Sequence, residues 1–234
     1  MNQVKTYELT GDTKIMADGQ RVRRIRAIID IPHQGVRKGD IGGYVQSYRN
    51  LTGFAWVFDD AVVRDSSVVR GFASVAGNAE VSGDTSVVSR LASIRGEARI
   101  TNSLVTDSAT VAGNAVVESA RVLGNSYILS GAHICPDVTV MGDSYVIDID
   151  VHSSDEVINV FLGGQPVTIT PKYIHVFGHI LRVDPNRIKI INNDLKSQFT
   201  TNDFEWCERW WGSVVALQQA MLMTRGDDKC RNNN

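Results

Sequence analysis

A six-residue repeat of apolar positions dominates the middle of the chain, from about residue 55 to residue 146. Each unit has a small residue first, a variable residue second, and Val or Ile third. Sixteen such units follow one another, from Ala55-Trp56-Val57 to Ser144-Tyr145-Val146. A period of six is too short for a helical repeat and is typical of a parallel β-helix, in which three units form one triangular coil. The third residue would then point into the axis and stack on its counterpart about 4.8 Å away.

The corners between these short strands have a signature of their own. Gly-Asn or Gly-Asp often precedes the small residue, as at Gly77-Asn78 and Gly113-Asn114. Sharp turns require a left-handed backbone that these residues accept more readily than others. We therefore predict a mostly β protein, built on a left-handed parallel β-helix of a little over five coils over residues 53–148.

Three steps of the repeat depart from six residues, and none inserts a long loop. Thr85 to Ala92 takes seven residues, whereas Ala98 to Ser103 and Ala115 to Ala120 take five. The sequence thus predicts a plain prism about 25 Å tall at the usual strand spacing.

Residues 1–52 lie outside the repeat and predict a small N-terminal β cap. Two short strands lead to a hairpin turn at Asp18-Gly19, and a return strand covers 22–29. The glycine-rich segment that follows predicts a tight turn, because it lacks the Gly-Lys-Ser/Thr ending of a phosphate loop. Its glycines are Gly39, Gly42 and Gly43. A cap is expected because an open solenoid end would expose unpaired strand edges.

The chain after the repeat predicts a C-terminal β segment over 149–200 and a helix with a polar tail over 201–234. Strands are predicted over 167–170 and 173–179, with one or two more over 181–191. The helix is predicted from about Asn202 to Arg225, where Asn202 and Glu205 resemble a capping box. Its apolar positions cover much of its circumference, so we expect it to pack on the cap and on a neighbouring subunit.

Composition narrows the classes of function. The net charge of -2 argues against a nucleic-acid partner, which usually requires a strongly basic surface. The three cysteines have no CxxC spacing, so neither a disulfide framework nor a zinc site is indicated. The chain has no apolar run of about 20 residues and no signal peptide, so we expect a cytoplasmic protein without a membrane contact. No cofactor or metal is predicted.

Few side chains suggest chemistry. His133 occupies a variable, outward position of the repeat, and a surface histidine is a simpler interpretation than a general base because no paired carboxylate is evident. His175 and His179 are four residues apart on one predicted strand, which is too far to share a metal. The basic cluster around Arg24 and Arg26 fits either a solvated strand or a phosphate contact. We predict no catalytic residue, and propose Arg24, Arg26 and His179 as contacts for an anionic small molecule.

The repeat resembles the left-handed β-helix superfamily of hexapeptide proteins, and the flanks are similar to a group of bacteriophage and prophage proteins. The segments that carry this similarity are Tyr7-Glu8-Leu9-Thr10, Arg24-Ile25-Arg26-Ala27, Lys38-Gly39-Asp40-Ile41-Gly42-Gly43-Tyr44, and Val167-Thr168-Ile169-Thr170-Pro171-Lys172-Tyr173-Ile174. The chain also resembles, more loosely, the YdcK-like bacterial β-helix proteins. Hexapeptide acyltransferases project a loop from one coil to build their cleft, and this repeat has none.

Three hypotheses follow from these patterns and this resemblance. The first is a non-enzymatic phage or prophage accessory protein, a homotrimer that sequesters an anionic host molecule such as a nucleotide signal and so counters host defence. Its flat faces would bury outward residues such as Val62, Val68 and Val116 between subunits. The second is a structural virion or assembly component, and the third is an acyltransferase that uses His133.

Overall fold

Parallel strand pairing builds the repeat into a β-helix. The structure is a computed structural model that describes residues 5–181 and 201–224. In chain order its elements are β1 (Tyr7–Ile15), β2 (Arg21–Ala27), a 3-10 turn (Pro32–Gln34), β3 (Ile41–Val45), β4 (Trp56–Val57), β5 (Val62–Val63), β6 (Val68–Val69), β7 (Ser74–Val75), β8 (Glu80–Ser82), β9 (Val87–Val88), β10 (Ser93–Ile94), β11 (Arg99–Thr101), β12 (Leu104–Val105), β13 (Thr110–Val111), β14 (Val116–Glu118), β15 (Arg121–Val122), β16 (Tyr127–Leu129), β17 (His133–Ile134), β18 (Thr139–Val140), β19 (Tyr145–Ile147), β20 (Asp150–Val151), a 3-10 turn (Ser154–Glu156), β21 (Ile158–Leu162), β22 (Gln165–Ile169), β23 (Ile174–Val176), β24 (His179–Leu181) and α1 (Thr201–Thr224).

The coils present three flat faces. The first face contains β3, β5, β8, β11, β14, β17 and β20; the second contains β6, β9, β12, β15 and β18; the third contains β4, β7, β10, β13, β16 and β19. The chain visits them in this order, and equivalent residues stack in register, as Ile94 does between Val75 and Val111. These inward residues are fully buried and form one continuous core. The predicted parallel β-helix is confirmed.

Each corner from Gly53 to Asp148 contains one residue in the left-handed backbone conformation, and this residue is often not glycine. Aspartates occupy it at Asp59, Asp65 and Asp107, with φ between 52° and 62°. Their side chains offset part of the free-energy cost of the left-handed backbone, because each accepts a hydrogen bond from a backbone N–H of the next coil. Asp65 Oδ2, for example, lies 2.8 Å from the Gly83 nitrogen. The corners thus tie the coils together outside the apolar axis.

The N-terminal cap continues the first face instead of forming a separate layer. β1 and β2 pair antiparallel, β2 pairs antiparallel with β3, and β3 pairs parallel with β5. The predicted hairpin at Asp18-Gly19 is confirmed. Since β3 starts the first coil and the third face has six strands, the solenoid has about six coils where the repeat predicted five.

Two of the glycines that predicted a tight turn lie inside a strand. Gly39 has a φ of 97° and forms the turn, but Gly42 and Gly43 belong to β3. A Cβ on Gly43 would lie 2.6 Å from the Ala61 carbonyl oxygen. These two glycines therefore allow the cap strand to lie against the first coil, which is a packing requirement and not a turn requirement.

The cap also covers one of the positions expected at a subunit interface. Val62 is only 3% exposed, because it packs with Val22 and Tyr44 of the cap. Val68 and Val116 remain half-buried on outward positions. The expectation that Val62 packs against another subunit is therefore wrong.

The C-terminal segment forms a four-stranded antiparallel sheet in the order β21-β22-β23-β24. The sequence predicted one strand over 173–179, but Phe177 and Gly178 have positive φ and form a tight turn there. His175 and His179 consequently lie on two adjacent strands, β23 and β24. The sequence did not predict β21, and the strands it predicted beyond Leu181 lie outside the described residues.

The predicted helix is confirmed as α1, but its packing differs from the expectation. Its buried residues Trp206, Val214 and Met221 share an apolar cluster with the C-terminal sheet, and not with the N-terminal cap. Trp206 Nε1 also donates to the Leu162 carbonyl oxygen at 2.8 Å. The side chain of Asn202 and the polar tail lie outside the described residues.

A small polar and aromatic contact joins this sheet to the last coil. The Tyr173 hydroxyl accepts from the Ile147 nitrogen at 2.6 Å and donates to the Tyr145 carbonyl oxygen at 3.0 Å. The His175 ring stacks on the Tyr145 ring with centroids 3.9 Å apart. Burial, reinforced by the neighbouring His179, lowers the pKa of His175 to about 4.

This pKa predicts that acidification weakens the C-terminal sheet. Between the ordinary pKa of 6.5 and about 4, His175 is protonated in the unfolded chain but neutral in the folded one. Unfolding then binds a proton, so the unfolding free energy should fall by about 2 kcal/mol between pH 7 and pH 5. Urea titrations followed by tryptophan fluorescence would measure this change, because three of the four tryptophans lie in α1. His175→Phe, which keeps the stack but cannot titrate, should lose most of the slope; an equal slope in both proteins would contradict the prediction.

Candidate functional site

The seven-residue step lies one unit earlier than the sequence repeat suggested. The repeat predicts a unit Thr85-Ser86-Val87, with Val87 pointing inward. In the structure Val88 is fully buried, whereas Val87 is half-buried on the outside of the second face. The extra residue is accommodated at Gly83-Asp84-Thr85, where the backbone turns, and the strand that follows is regular.

With this correction, all three irregular steps fall on the same corner, where the chain passes from the first face to the second. We call it the first corner. The inward residues are seven apart from Val81 to Val88, and five apart from both Ile100 to Val105 and Val117 to Val122. The following coil returns to six, from Ile134 to Val140. Two short corners therefore lie between two longer ones.

This arrangement produces a recess of about 540 Å³ on the first corner and the adjoining second face. Its lining residues are Thr85, Val87, Asn102, Ser103, Leu104, Ser119, Ala120, Arg121, Asp137, Val138 and Thr139. The two short corners form its floor because each has one residue fewer with which to project outward. The volume lies within the range of small-molecule sites, which is about 300–1,000 Å³.

Buried serines stabilise the short corners from below. Ser86 Oγ accepts from the Ser103 nitrogen at 3.2 Å, and Ser103 Oγ accepts from the Ala120 nitrogen at 3.1 Å. Ser103 Oγ also donates to the Thr101 carbonyl oxygen at 2.7 Å. These hydroxyls replace backbone partners that the shortened turns cannot supply, so the recess has a fixed floor.

Asn102 forms one wall of the recess and is held by its side-chain oxygen. Its Oδ1 accepts from the Asp84 nitrogen at 2.9 Å and more weakly from the Thr85 nitrogen at 3.4 Å. A Cβ on Gly83 would collide with this oxygen, so glycine is required opposite it. The amide NH2 is the remaining polar group of the side chain, and none of the described residues accepts a hydrogen bond from it.

Arg121 supplies the positive charge of the recess. It stands on the outer side of β15, directly beside Leu104 of the preceding coil and Thr139 of the following one. Its side chain is exposed and has no ion pair or side-chain hydrogen bond with any described residue. Beside it, Leu104 and Val87 form a half-buried apolar strip. A flat ring on this strip with an anionic group toward Arg121 would match the lining.

The arginines proposed from the sequence already have partners within the chain. Arg24 contacts Asp60 at 2.6 Å and Asp12 at 3.1 Å, and its guanidinium lies 4.5 Å over the Tyr44 ring. Arg26 binds Glu8 through Nε at 2.7 Å. Both arginines therefore join the strands of the cap, with their charge compensated locally.

His179 is not brought near these arginines. It lies on β24, next to the last coil, whereas Arg24 and Arg26 lie on β2, next to the first. Six strand spacings separate β3 from β20 on the first face, which corresponds to about 30 Å. One small molecule cannot contact all three residues of a single chain.

His133 has a carboxylate neighbour that the sequence did not reveal. Its Nε2 lies 3.4 Å from Glu118 Oε2, on the outer side of the first face. The contact is an ion pair at most, because it lacks hydrogen-bond geometry. His133 is not among the residues that line the recess.

Two further features of the described residues bear on function. No group of three or more His, Cys, Asp or Glu side chains within residues 5–181 and 201–224 is arranged to hold a metal ion. In the same ranges no helix is both long and apolar enough to cross a membrane. Comparison with protein-family models found no match, and comparison with curated proteins found none either.

The recess was missed in the sequence although its signal is present there. The sequence contains all three irregular steps, but its repeat pattern places the seven-residue step at the wrong corner, so their coincidence is hidden. Serine stands in place of alanine at positions 86 and 103 of this corner. Only the stacking of coils shows that steps about 18 residues apart share one edge of the prism.

Proposed function

We propose that the protein is a non-enzymatic binding scaffold that sequesters an anionic small molecule in the first-corner recess. The observation that supports this most directly is Arg121, which forms no ion pair with a described residue and lies beside the apolar strip of Leu104 and Val87. The recess also contains one carboxylate, that of Asp137. Small-ligand sites use placed polar groups to fix the orientation of the ligand, and seven of the eleven residues that line this recess are polar or charged. A nucleotide has both a flat ring and a charged phosphate, so a nucleotide signal fits this lining.

The biological setting of the proposal comes from the resemblance described for the sequence. We propose a phage or prophage accessory protein that works in the host cytoplasm, as a homotrimer, by removing a host nucleotide signal and thus countering defence. Flat faces with half-buried apolar residues such as Val68 and Val116 support assembly around a threefold axis. Light scattering should then give three times the mass of one chain.

Isothermal titration against nucleotides and cyclic nucleotides tests the binding role. We expect at least one member of the panel to bind, and Arg121→Gln to weaken its affinity at least about tenfold, because a hydrogen bond to a charged group contributes about 1.5–3 kcal/mol. Arg99→Gln provides a matched control, since Arg99 is an exposed arginine of the first face outside the recess. The absence of heat with every nucleotide, or an equal loss in both variants, would overturn the proposal.

A further inference from the structure

The strand β21 forms an open edge of the C-terminal sheet. Among the described strands it pairs only with β22, and the register of this pair is continuous over all five residues of β21, without a bulge. None of these residues is charged and none is fully buried, and Phe161 is 69% exposed. A regular, apolar and uncovered edge of this kind is a template for pairing with another strand.

The edge strand of the N-terminal cap, β1, is protected against such pairing in ways that β21 is not. Its register with β2 shifts between Leu9 and Thr13. It also has charged side chains at Glu8, Asp12 and Lys14. Both a bulge and a row of charges hinder the addition of a further strand. Because β21 has neither, nothing in its sequence opposes pairing.

The backbone groups on the open side of β21 belong to Asn159 and Phe161. Leu162 and Gln165 enclose a two-residue turn, so they form a hydrogen-bonded pair. Such pairs alternate along an antiparallel ladder with pairs that are not hydrogen-bonded, and the pair of Phe161 with Pro166 is of the second kind. Proline fits there because it has no N–H. The N–H and C=O groups of Asn159 and Phe161 therefore point away from β22, and no described residue binds them.

The side chains of β21 are arranged symmetrically about Val160. Ile158 and Leu162 lie two residues away on either side, and all three pack half-buried against the apolar cluster shared with α1. If the strand meets its own copy antiparallel about Val160, Asn159 of each copy lies opposite Phe161 of the other, and each of these pairs exchanges both N–H···O bonds. Ile158 then lies opposite Leu162, so apolar side chains meet at every position of that face.

We propose that β21 pairs antiparallel with β21 of a second copy of this chain, about a two-fold axis at Val160. The two four-stranded sheets then form one continuous sheet. This contact is isologous and separate from the threefold contact of the proposed function, which uses the flat faces of the β-helix. A closed particle with both contacts contains at least twice the three chains that the threefold contact alone would give.

A disulfide at position 160 tests the pairing directly. In the proposed arrangement the Val160 Cα atoms of the two copies are about 4.5 Å apart, because they form the pair on the axis that is not hydrogen-bonded. Disulfides span about 4.4–6.8 Å between Cα atoms. In oxidised glutathione, Val160→Cys should therefore give a linked dimer on a non-reducing gel. Mass spectrometry of the linked peptide would show that the bond joins the two introduced thiols and not the native cysteines.

Phe161→Cys is the matched control for this test. Phe161 is more exposed than Val160, so random collisions would link it at least as readily. In the proposed pairing, however, the two Phe161 Cα atoms lie about 8 Å apart, beyond the reach of a disulfide. We expect at least about tenfold less linked peptide from Phe161→Cys than from Val160→Cys. Equal yields from the two variants, or no link at position 160, would overturn the proposal.

Phe161→Pro should remove the pairing and leave the fold of the chain unchanged. The Phe161 N–H faces the open side, so the ladder with β22 keeps its bonds, and proline is accepted on the outer side of an edge strand. In light scattering at the same high concentration, the parent should have twice the mass of this variant. Val160→Cys should also lose most of its disulfide when it is combined with Phe161→Pro. An equal mass for the parent and a folded variant, judged by far-ultraviolet circular dichroism, would contradict the two-fold contact.

Discussion

Val88→Asp should unfold the β-helix or destabilise it by at least about 4 kcal/mol, the largest effect we expect from one substitution. Val88 is fully buried on the axis and stacks between Val69 and Val105. A carboxylate there would have no polar partner, and the apolar axis offers no water to solvate it. Thermal unfolding followed by far-ultraviolet circular dichroism would measure the loss, and a reduced yield of folded protein would be its extreme form.

Val87→Asp is the matched control, because it introduces the same group one residue away. Val87 points outward on the second face, so this variant should change the unfolding free energy by less than about 1 kcal/mol. It should nevertheless weaken ligand binding, since Val87 lines the recess. If Val87→Asp proved the more destabilising of the two, the corrected position of the seven-residue step would be wrong, and with it the coincidence of short steps at the first corner.

Gly43→Ala should destabilise the protein by about 3 kcal/mol through overpacking. An added Cβ would lie 2.6 Å from both the Ala61 carbonyl oxygen and Val57 Cγ1, and 2.9 Å from the Phe58 carbonyl oxygen. Two of these three atoms belong to the backbone of the first coil, which cannot move without disturbing the pairing of β3 with β5. Chemical denaturation would give the change in unfolding free energy.

Gly11→Ala gives the comparison for this substitution. Gly11 is an exposed glycine of β1, and nothing lies within 4 Å of its prospective Cβ. We expect an effect within about 0.5 kcal/mol. An equally small change in unfolding free energy for Gly43→Ala would mean that the cap does not pack closely against the first coil. The glycines of β3 would then be required only by the turn before it.

The sequence predicted those parts of the molecule that depend on a local period. Val or Ile at every sixth position is sufficient to specify stacked strands, because the same side chain must fill the same place in each coil. The helix α1 and the hairpin at Asp18-Gly19 were predicted for a similar reason, since their signals lie within a few residues of one another. His175 and His179 show the limit of this approach: their short β-rich segment predicts one strand, and the turn at Phe177-Gly178 divides it into two.

The candidate site depended on contacts between residues that are distant along the chain, and no local sequence pattern contains such contacts. Arg24 looked available in the sequence because its partners Asp12 and Asp60 are distant along the chain, and the tertiary structure neutralises it. Arg121 looked like an ordinary variable residue, and the structure places it in the lining of a recess, without an ion pair to any described residue. In a solenoid, residues about 18 positions apart become neighbours, so the position of one extra residue decides which side chains share a face.

The amino-acid sequence by itself determined the β-helix, its inward residues other than Val88, and the presence of a cap at one end and a helix at the other. Those features follow from hydrophobic burial repeated at a fixed interval. Only the tertiary structure decided that the seven-residue step and both five-residue steps share the first corner, and that a recess lined by Arg121 opens there. The physical reason is that the recess arises where short corners lie between longer ones. These corners become neighbours only when the coils stack in register.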